Sequence, residues 1–254
     1  MNPLSVPATP VPAAPQVDLL GLRISRVNRA QTMAILRGFL ADGRPHLVVT
    51  VDSSAVVIAA RDPEYRAIVN AADLVTPDGA GILWAAKRLG KPLPERVSGV
   101  DLAEALCAAA ACAGFSVFFY GGQPGIGAEA ARRMRARYPG LRVAGTAHGY
   151  LTPEEQERLV AQIRAARPGV LLVARGIPYQ EKWLARHLHQ LGVPICMGVG
   201  GTLDVFSGRV HRAPRWMQRR GLEWLYRLLR DPRKIRKVAA LPRFTWMVLR
   251  TRGG

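Results

Sequence analysis

The chain has 254 residues, 49% of them hydrophobic and 21% charged, an ordinary composition for a globular protein with room for one large core. Its formal charge is +18, which favours phosphate-bearing partners or an anionic membrane. Cys107, Cys112 and Cys196 form no Cys-x-x-Cys pair and have no histidine beside them, so they support neither a disulfide framework nor a zinc site and are expected to be buried thiols.

The first 18 residues hold five prolines and no basic start, and are expected to be a disordered leader rather than a signal peptide. From residue 46 apolar strands alternate with helices. Strands are predicted over 46–52, 73–76, 115–120, 141–148, 169–175 and 194–200. Helices are predicted over 53–72 with a break near Asp62-Pro63, then 80–89, 99–113, 125–138, 153–166 and 179–191. Ala105 to Ala128 carries no charge, yet Gly114 and the Gly121-Gly122 turn divide it into a helix end and a short strand, so it should not span a bilayer. Short apolar strands separated by longer helices predict an α/β fold, a mostly parallel Rossmann-like sheet flanked by helices.

The charge is concentrated at the far end. From Arg209 onward there are 14 Lys or Arg against Glu223 and Asp231, so the tail carries +12 of the +18. A helix is predicted from Pro214 to Arg230, where Leu222, Leu225, Leu228 and Leu229 fall at helical spacing among arginines. This basic helical appendage bounds the predicted organisation: leader 1–18, α/β core 19–207, appendage 208–254. The sheet strands all lie before Gly201, so the core is expected to be complete without the tail.

In parallel sheets ligands bind beyond the carboxyl ends of the strands. Those ends carry Thr50 and Asp52, Asp78, Gly121-Gly122, His148-Gly149-Tyr150, Gly176 and Gly200-Gly201. The turn GGQPGIG (121–127) invites a dinucleotide reading, but the next strand ends without the acid that would bind a ribose, which argues against a nicotinamide oxidoreductase. Asp78 in VTPDGAG is either a plain Pro-Asp-Gly turn or a general base at a strand end, and the residues alone leave both open. Gln180 and Glu181 in GIPYQEKW read most simply as a solvated first helical turn, with Gln180 reaching into a site as the sharper possibility. GVGGTLD (198–204) sets two glycines before Asp204 as a plausible anion cradle. The five histidines are scattered, and most are expected at the surface. No Asp-x-Asp occurs, so the carboxylate pair that usually holds a metal on a nucleotide diphosphate is missing and arginines must neutralise such a charge.

TPDGAG, PERVSGVDL (94–102), FFYGG (118–122), GIPYQEKW, GVGGTLDVFSGRVHRAP (198–214) and GLEWLYRLLRDPRK (221–234) occur in an order that resembles the WecG/TagA/CpsF family of bacterial glycosyltransferases, from about Leu19 to Lys237. The resemblance implies an inverting, metal-independent and cofactor-free transfer from a UDP-sugar to a polyprenyl-diphosphate-linked saccharide, on the inner face of the cell membrane. It puts Asp78 on the catalytic base and Thr50 on a neighbouring active-site position. Arg96 and Gln180 fall on substrate-binding positions and Asp204 on the nucleotide side. Gly149 and Tyr150 join them at their strand end. Asp52 stands where the family usually has Asn. Arg212, Arg215, Arg219, Arg227 and Arg230 are expected to reach over the site or contact anionic lipid. A nucleic-acid partner is the rival reading of the tail, and its leucines at helical spacing suit lipid better than nucleobases.

Overall fold

The computed structural model describes residues 14–214, 216–217, 223, 225–226 and 240–251. Six parallel strands form the sheet: β3 (His46–Val51), β4 (Leu74–Pro77), β5 (Ser116–Gly121), β6 (Arg142–Ala147), β7 (Val170–Ala174) and β8 (Ile195–Gly198), in the order β4-β3-β8-β7-β5-β6. The four inner strands are buried nearly throughout, because helices cover both faces of a parallel sheet. Strand periodicity divides the core in two. Leu47, Val49 and Val51 face one layer with Phe118, Tyr120, Leu171 and Val173, while Val48, Val117, Phe119 and Leu172 face the other. Edge strand β6 is only half-buried, and its Gly145 admits the Phe118 ring, which a Cβ there would meet at 2.4 Å.

Helices α1 (Arg29–Asp42), α5 (Gly99–Ala113), α6 (Ile126–Arg137) and the short α9 (Thr202–Phe206) cover one face. Helices α2 (Ser53–Ala59), α3 (Pro63–Ala71), α4 (Ala80–Arg88), α7 (Pro153–Ala166) and α8 (Tyr179–Leu191) cover the other. Local chemistry sets their starts. Asn28 and Gln31 form a capping box on α1, Thr152 and Glu155 another on α7, and Asp62 caps α3 with Pro63 in its first turn. The α/β class and the strand–helix alternation after residue 46 are as the sequence predicts.

Three elements depart from expectation. A hairpin, β1 (Gln16–Leu19) and β2 (Leu22–Ser25), starts inside the segment expected to be a disordered leader. Its turn puts Leu20 and Gly21 at φ 55° and 84°, a primed turn without the usual Asn-Gly or Asp-Gly signal. The hairpin docks on the sheet where Ser25 Oγ accepts from the Val75 N–H at 3.2 Å. Helix α1 also lacks a clear sequence signature, because its apolar residues Met33, Ile35, Leu36, Phe39 and Leu40 do not form one clean stripe.

The third departure concerns the tail. Helix α10 (Ala240–Arg250) returns to the body and buries Phe244 at 2% and Val248 at 1% exposure among α2 and α4 residues. The tail, outside the expected core, thus contributes Phe244 and Val248 to the core cluster that includes residues of α2 and α4. Gly81 permits the close approach: a Cβ there would lie 2.3 Å from Ser53 Oγ and 3.5 Å from the Phe244 ring. Most of the helix predicted from Pro214 to Arg230 lies outside the described residues.

Candidate active site

The chain leaves β4 at Pro77 and turns so that the Asp78 N–H donates to the Val51 carbonyl at 2.8 Å, tying this residue to the end of β3. Asp78 Oδ2 accepts from the Gly99 N–H at 3.0 Å, the first amide of α5. A helix N-terminus favours an anion, yet burial dominates: the Asp78 carboxyl is pushed up to about 6. The charges of Asp52 and Glu223 raise it further, while the Gly99 hydrogen bond and Arg96 pull it back. Thr50 meets the same point, since a Cβ on Gly99 would lie 3.2 Å from Thr50 Oγ1 and 3.5 Å from Asp78 Oδ2. A side chain at this position would have to push Thr50 a few tenths of an ångström away from the start of α5. Asp52 uses Oδ1 to cap α2 through the Ala55 N–H at 2.9 Å.

A ladder of alternating charge borders this carboxyl. Arg96 Nη2 lies 2.8 Å from Glu223 Oε2, and Glu223 Oε1 lies 3.5 Å from Arg212 Nη2. Arg212 in turn pairs with Asp101 in the first turn of α5, with its second nitrogen at 3.4 Å. Arg212 is thus brought to the Asp78 side of the sheet, as is Arg96. Arg215, Arg219, Arg227 and Arg230 lie outside the described residues. A cavity of about 320 Å³ opens beside the ladder, lined by Arg29, Glu95, Arg96, Ser98 and Asp101 among others.

Gln180 and Glu181 are not a solvated turn. They are 2% and 0% exposed. Gln180 Oε1 accepts from the N–H groups of Gly176 at 3.1 Å and Gly200 at 2.9 Å, so one amide joins the loops after β7 and β8. Its Nε2 donates to Glu181 Oε1 at 2.7 Å. Gly198 makes room, since a Cβ would come within 2.7 Å of Gln180 and 2.9 Å of Glu181. Burial first, then the Asp52 charge, pushes the Glu181 carboxyl up to about 7, and its Oε2 has no partner among the described residues. Gln180 therefore builds the floor, with both lone pairs of its oxygen already in use.

Farther along the sheet edge, the Gly149 N–H donates to the Gly122 carbonyl at 2.8 Å, joining the loops after β5 and β6. A Cβ on Gly149 would just touch that backbone, at 3.4 Å. Beside it Tyr150 stands 71% exposed. Asp204 sits half-buried in the first turn of α9, after the central strand β8. The predicted residues thus spread along one edge: Thr50, Asp52, Asp78, Arg96 and Arg212 at the β3–β4 end, Gln180 and Asp204 in the middle, and Gly149 and Tyr150 at the β5–β6 end.

The signature of the "Glycosyl transferase WecG/TagA/CpsF family" matches residues 17–254. A relative from Bacillus spizizenii, "N-acetylglucosaminyldiphosphoundecaprenol N-acetyl-beta-D-mannosaminyltransferase", is 35% identical over 212 residues, which cover 84% of this chain and 82% of that one. The chain belongs to the WecG/TagA/CpsF glycosyltransferase family.

In this glycosyltransferase, sequence reasoning missed the placement of Glu181, Glu223 and Asp101, three acids that contact candidate site residues. A charged residue between Gln and Lys gives no signal of burial, and ion pairs across 111 residues have no local signature. Three of the five histidines, His148, His189 and His211, are partly or fully exposed, and His46 and His187 are buried. His46 packs at 3.8 Å on Phe39 with Asp42 and Asp73 at its nitrogens. Of the thiols, Cys107 and Cys196 are buried as expected and Cys112 is exposed. Among the described residues no three His, Cys, Asp or Glu side chains gather as a metal site requires, and no helix is long and apolar enough to cross a membrane.

Proposed function

We propose that this glycosyltransferase moves a hexose or N-acetylhexosamine from a UDP-sugar to a polyprenyl-diphosphate-linked saccharide, with inversion and without a metal, in building a cell-surface polysaccharide. The observation that carries the reading is Asp78: a carboxyl at a strand end, held by the Gly99 N–H, that ionises near neutrality. As a base it takes the proton of the acceptor hydroxyl while that oxygen bonds to the anomeric carbon. The bond from that carbon to the diphosphate breaks on the opposite face and UDP leaves. A general base in this place is worth about 10²–10⁴-fold. Thr50 stands with Asp78 at the start of α5 and can orient the acceptor.

The departing diphosphate gains negative charge, and Arg96 and Arg212 are the cations nearest the base in the ladder. Gly149, Tyr150 and Asp204 are assigned to the nucleotide, where an exposed tyrosine offers a face for a uracil. Asp52, as an acid where relatives of the family usually carry an amide, adds charge beside the base and bears on which sugar is accepted.

The acceptor lives in a membrane, and we assign the protein to the inner surface of the cell membrane as a peripheral enzyme. Trp84 on α4 and Trp246 and Leu249 on α10 are 41%, 55% and 59% exposed, with Arg250 over the Trp246 ring at 4.6 Å. Tryptophan and leucine beside arginine suit a headgroup boundary. The deciding experiment incubates the protein, in EDTA, with a panel of UDP-sugars and a polyprenyl-diphosphate-linked N-acetylhexosamine, and weighs the products. One added sugar residue is expected. No product from any donor overturns the reaction, and product only with added Mg²⁺ or Mn²⁺ overturns the metal-free mechanism.

A further inference from the structure

The tail brings 14 cations and two acids, and one of those acids is the hinge of the charge ladder. Glu223 meets Arg96 with one oxygen and Arg212 with the other, at 2.8 and 3.5 Å. Two guanidiniums on one carboxylate repel each other, and the carboxylate makes their approach favourable. The side chains are mostly removed from water: Arg96 is 19% exposed, Arg212 20% and Glu223 15%. Losing one member of such a set leaves buried charge without its partner, which disrupts more than the loss of a surface pair. The far end of the ladder, Asp101, lies in the same helical turn whose first amide holds Asp78. The place where the tail is fastened and the place where the base is held are therefore one piece of structure.

We propose that Glu223 is a positioning residue that, by joining Arg96 to Arg212, docks the C-terminal segment on the first turn of α5 and holds Arg96 beside Asp78. The inference rests on the reaction proposed above. A competing role exists for the same contact: Glu223 could fill an anion site until a substrate phosphate displaces it. The two roles give opposite kinetics.

The test uses the full chain with Glu223→Gln and Glu223→Asp. Glutamine keeps the size and loses the charge; aspartate keeps the charge on a shorter arm. For Glu223→Gln, kcat is expected to fall on the order of 10²-fold, as misplacement of a catalytic group does, with a smaller change in donor KM. Glu223→Asp should recover most of the rate. Asp78 is faced by Asp52 from α2, the Gly99 N–H from α5, Arg96 from the loop before it and Glu223 from the tail. Freeing Arg96 takes away a larger lowering influence on Asp78 than the raising one lost with the Glu223 charge, so the acid limb of the kcat/KM profile should move to higher pH. Independently of substrate, amide hydrogen exchange over residues 210–217 should quicken in Glu223→Gln.

Wild-type turnover with unchanged exchange overturns the proposal. So does a lowered donor KM at unchanged kcat, the mark of a displaced occupant. Loss of rate with an unmoved pH profile and no rescue by aspartate also overturns it. If the unaltered protein transfers no sugar, the functional reading fails, while the exchange comparison still decides whether Glu223 docks the tail.

Discussion

Asp78 carries two opposed demands. Burial that poises it near neutrality for proton abstraction also makes its charged form costly to fold. Its folded value of about 6 lies above the ordinary 3.8, so stability is full below the ordinary value and falls as pH rises toward 6. Asp78→Asn keeps an oxygen for the Gly99 N–H and removes the charge. Transfer should drop about 10²–10⁴-fold, while the melting temperature at pH 8 rises by a few degrees. A variant that keeps half its activity would remove Asp78 from the base role. Glu181 obeys the same sign in a different window. Its carboxyl ionises near 4.5 when unfolded and near 7 when folded, so between those values the unfolded chain gives up a proton that the folded chain keeps. Wild-type stability falls through that window, and Glu181→Gln should flatten it. Melting curves of both proteins from pH 5 to 8 check this: the variant's advantage should grow toward pH 7.5, and a constant difference would refute it.

At the scale of elements, legibility followed period and punctuation. The six strands from His46 to Gly198 were readable because apolar runs of four to six residues lie between Gly, Pro and helical spacing. The hairpin before them was not, since its turn is Leu20-Gly21 and its alternation spans four residues a side. The position of Thr50, Asp78, Gly149 and Gly176 at strand ends follows from topology once the sheet is parallel, while the roles expected of Asp78 and Thr50 come from the family resemblance. What remained illegible was the environment of α8. The sequence Tyr179-Gln180-Glu181 reads as polar, yet helix rotation turns Gln180 and Glu181 onto the ends of β7 and β8 while Tyr179 stays 68% exposed. Periodicity could not show this, because the partners of Gln180 are backbone amides of two loops. The resemblance placed Gln180 with the substrate; the geometry makes it first a clamp on the loops that form the floor.

For the whole molecule, the tail is both ballast and keystone. It carries two-thirds of the net charge by sequence, +12 of +18, and its final helix closes one layer of the core. Phe244→Ala should cost about 3–5 kcal/mol, the usual range for a large aromatic removed from a core, and lower the melting temperature on the order of 10 °C. A change below one degree would show that α10 only rests on the body. Deleting everything after Ser207 should then lose more than membrane contact, leaving a body whose α2–α4 surface is bare and prone to associate.

Phe244 sits against helices that begin more than 160 residues earlier, at Ser53 and Ala80. During synthesis those helices emerge long before the residue that covers them. The nascent protein must therefore keep this greasy seam waiting until residues 240–250 have been made. Contacts of such long sequence separation slow folding and lengthen the exposure of unfinished surfaces. An enzyme arranged this way is expected to stay inactive until residues 240–250 have joined the fold. Helix α2, which starts from Asp52 at the edge of the site, is among the last to be covered, so a delay in that contact is a delay at the site as well.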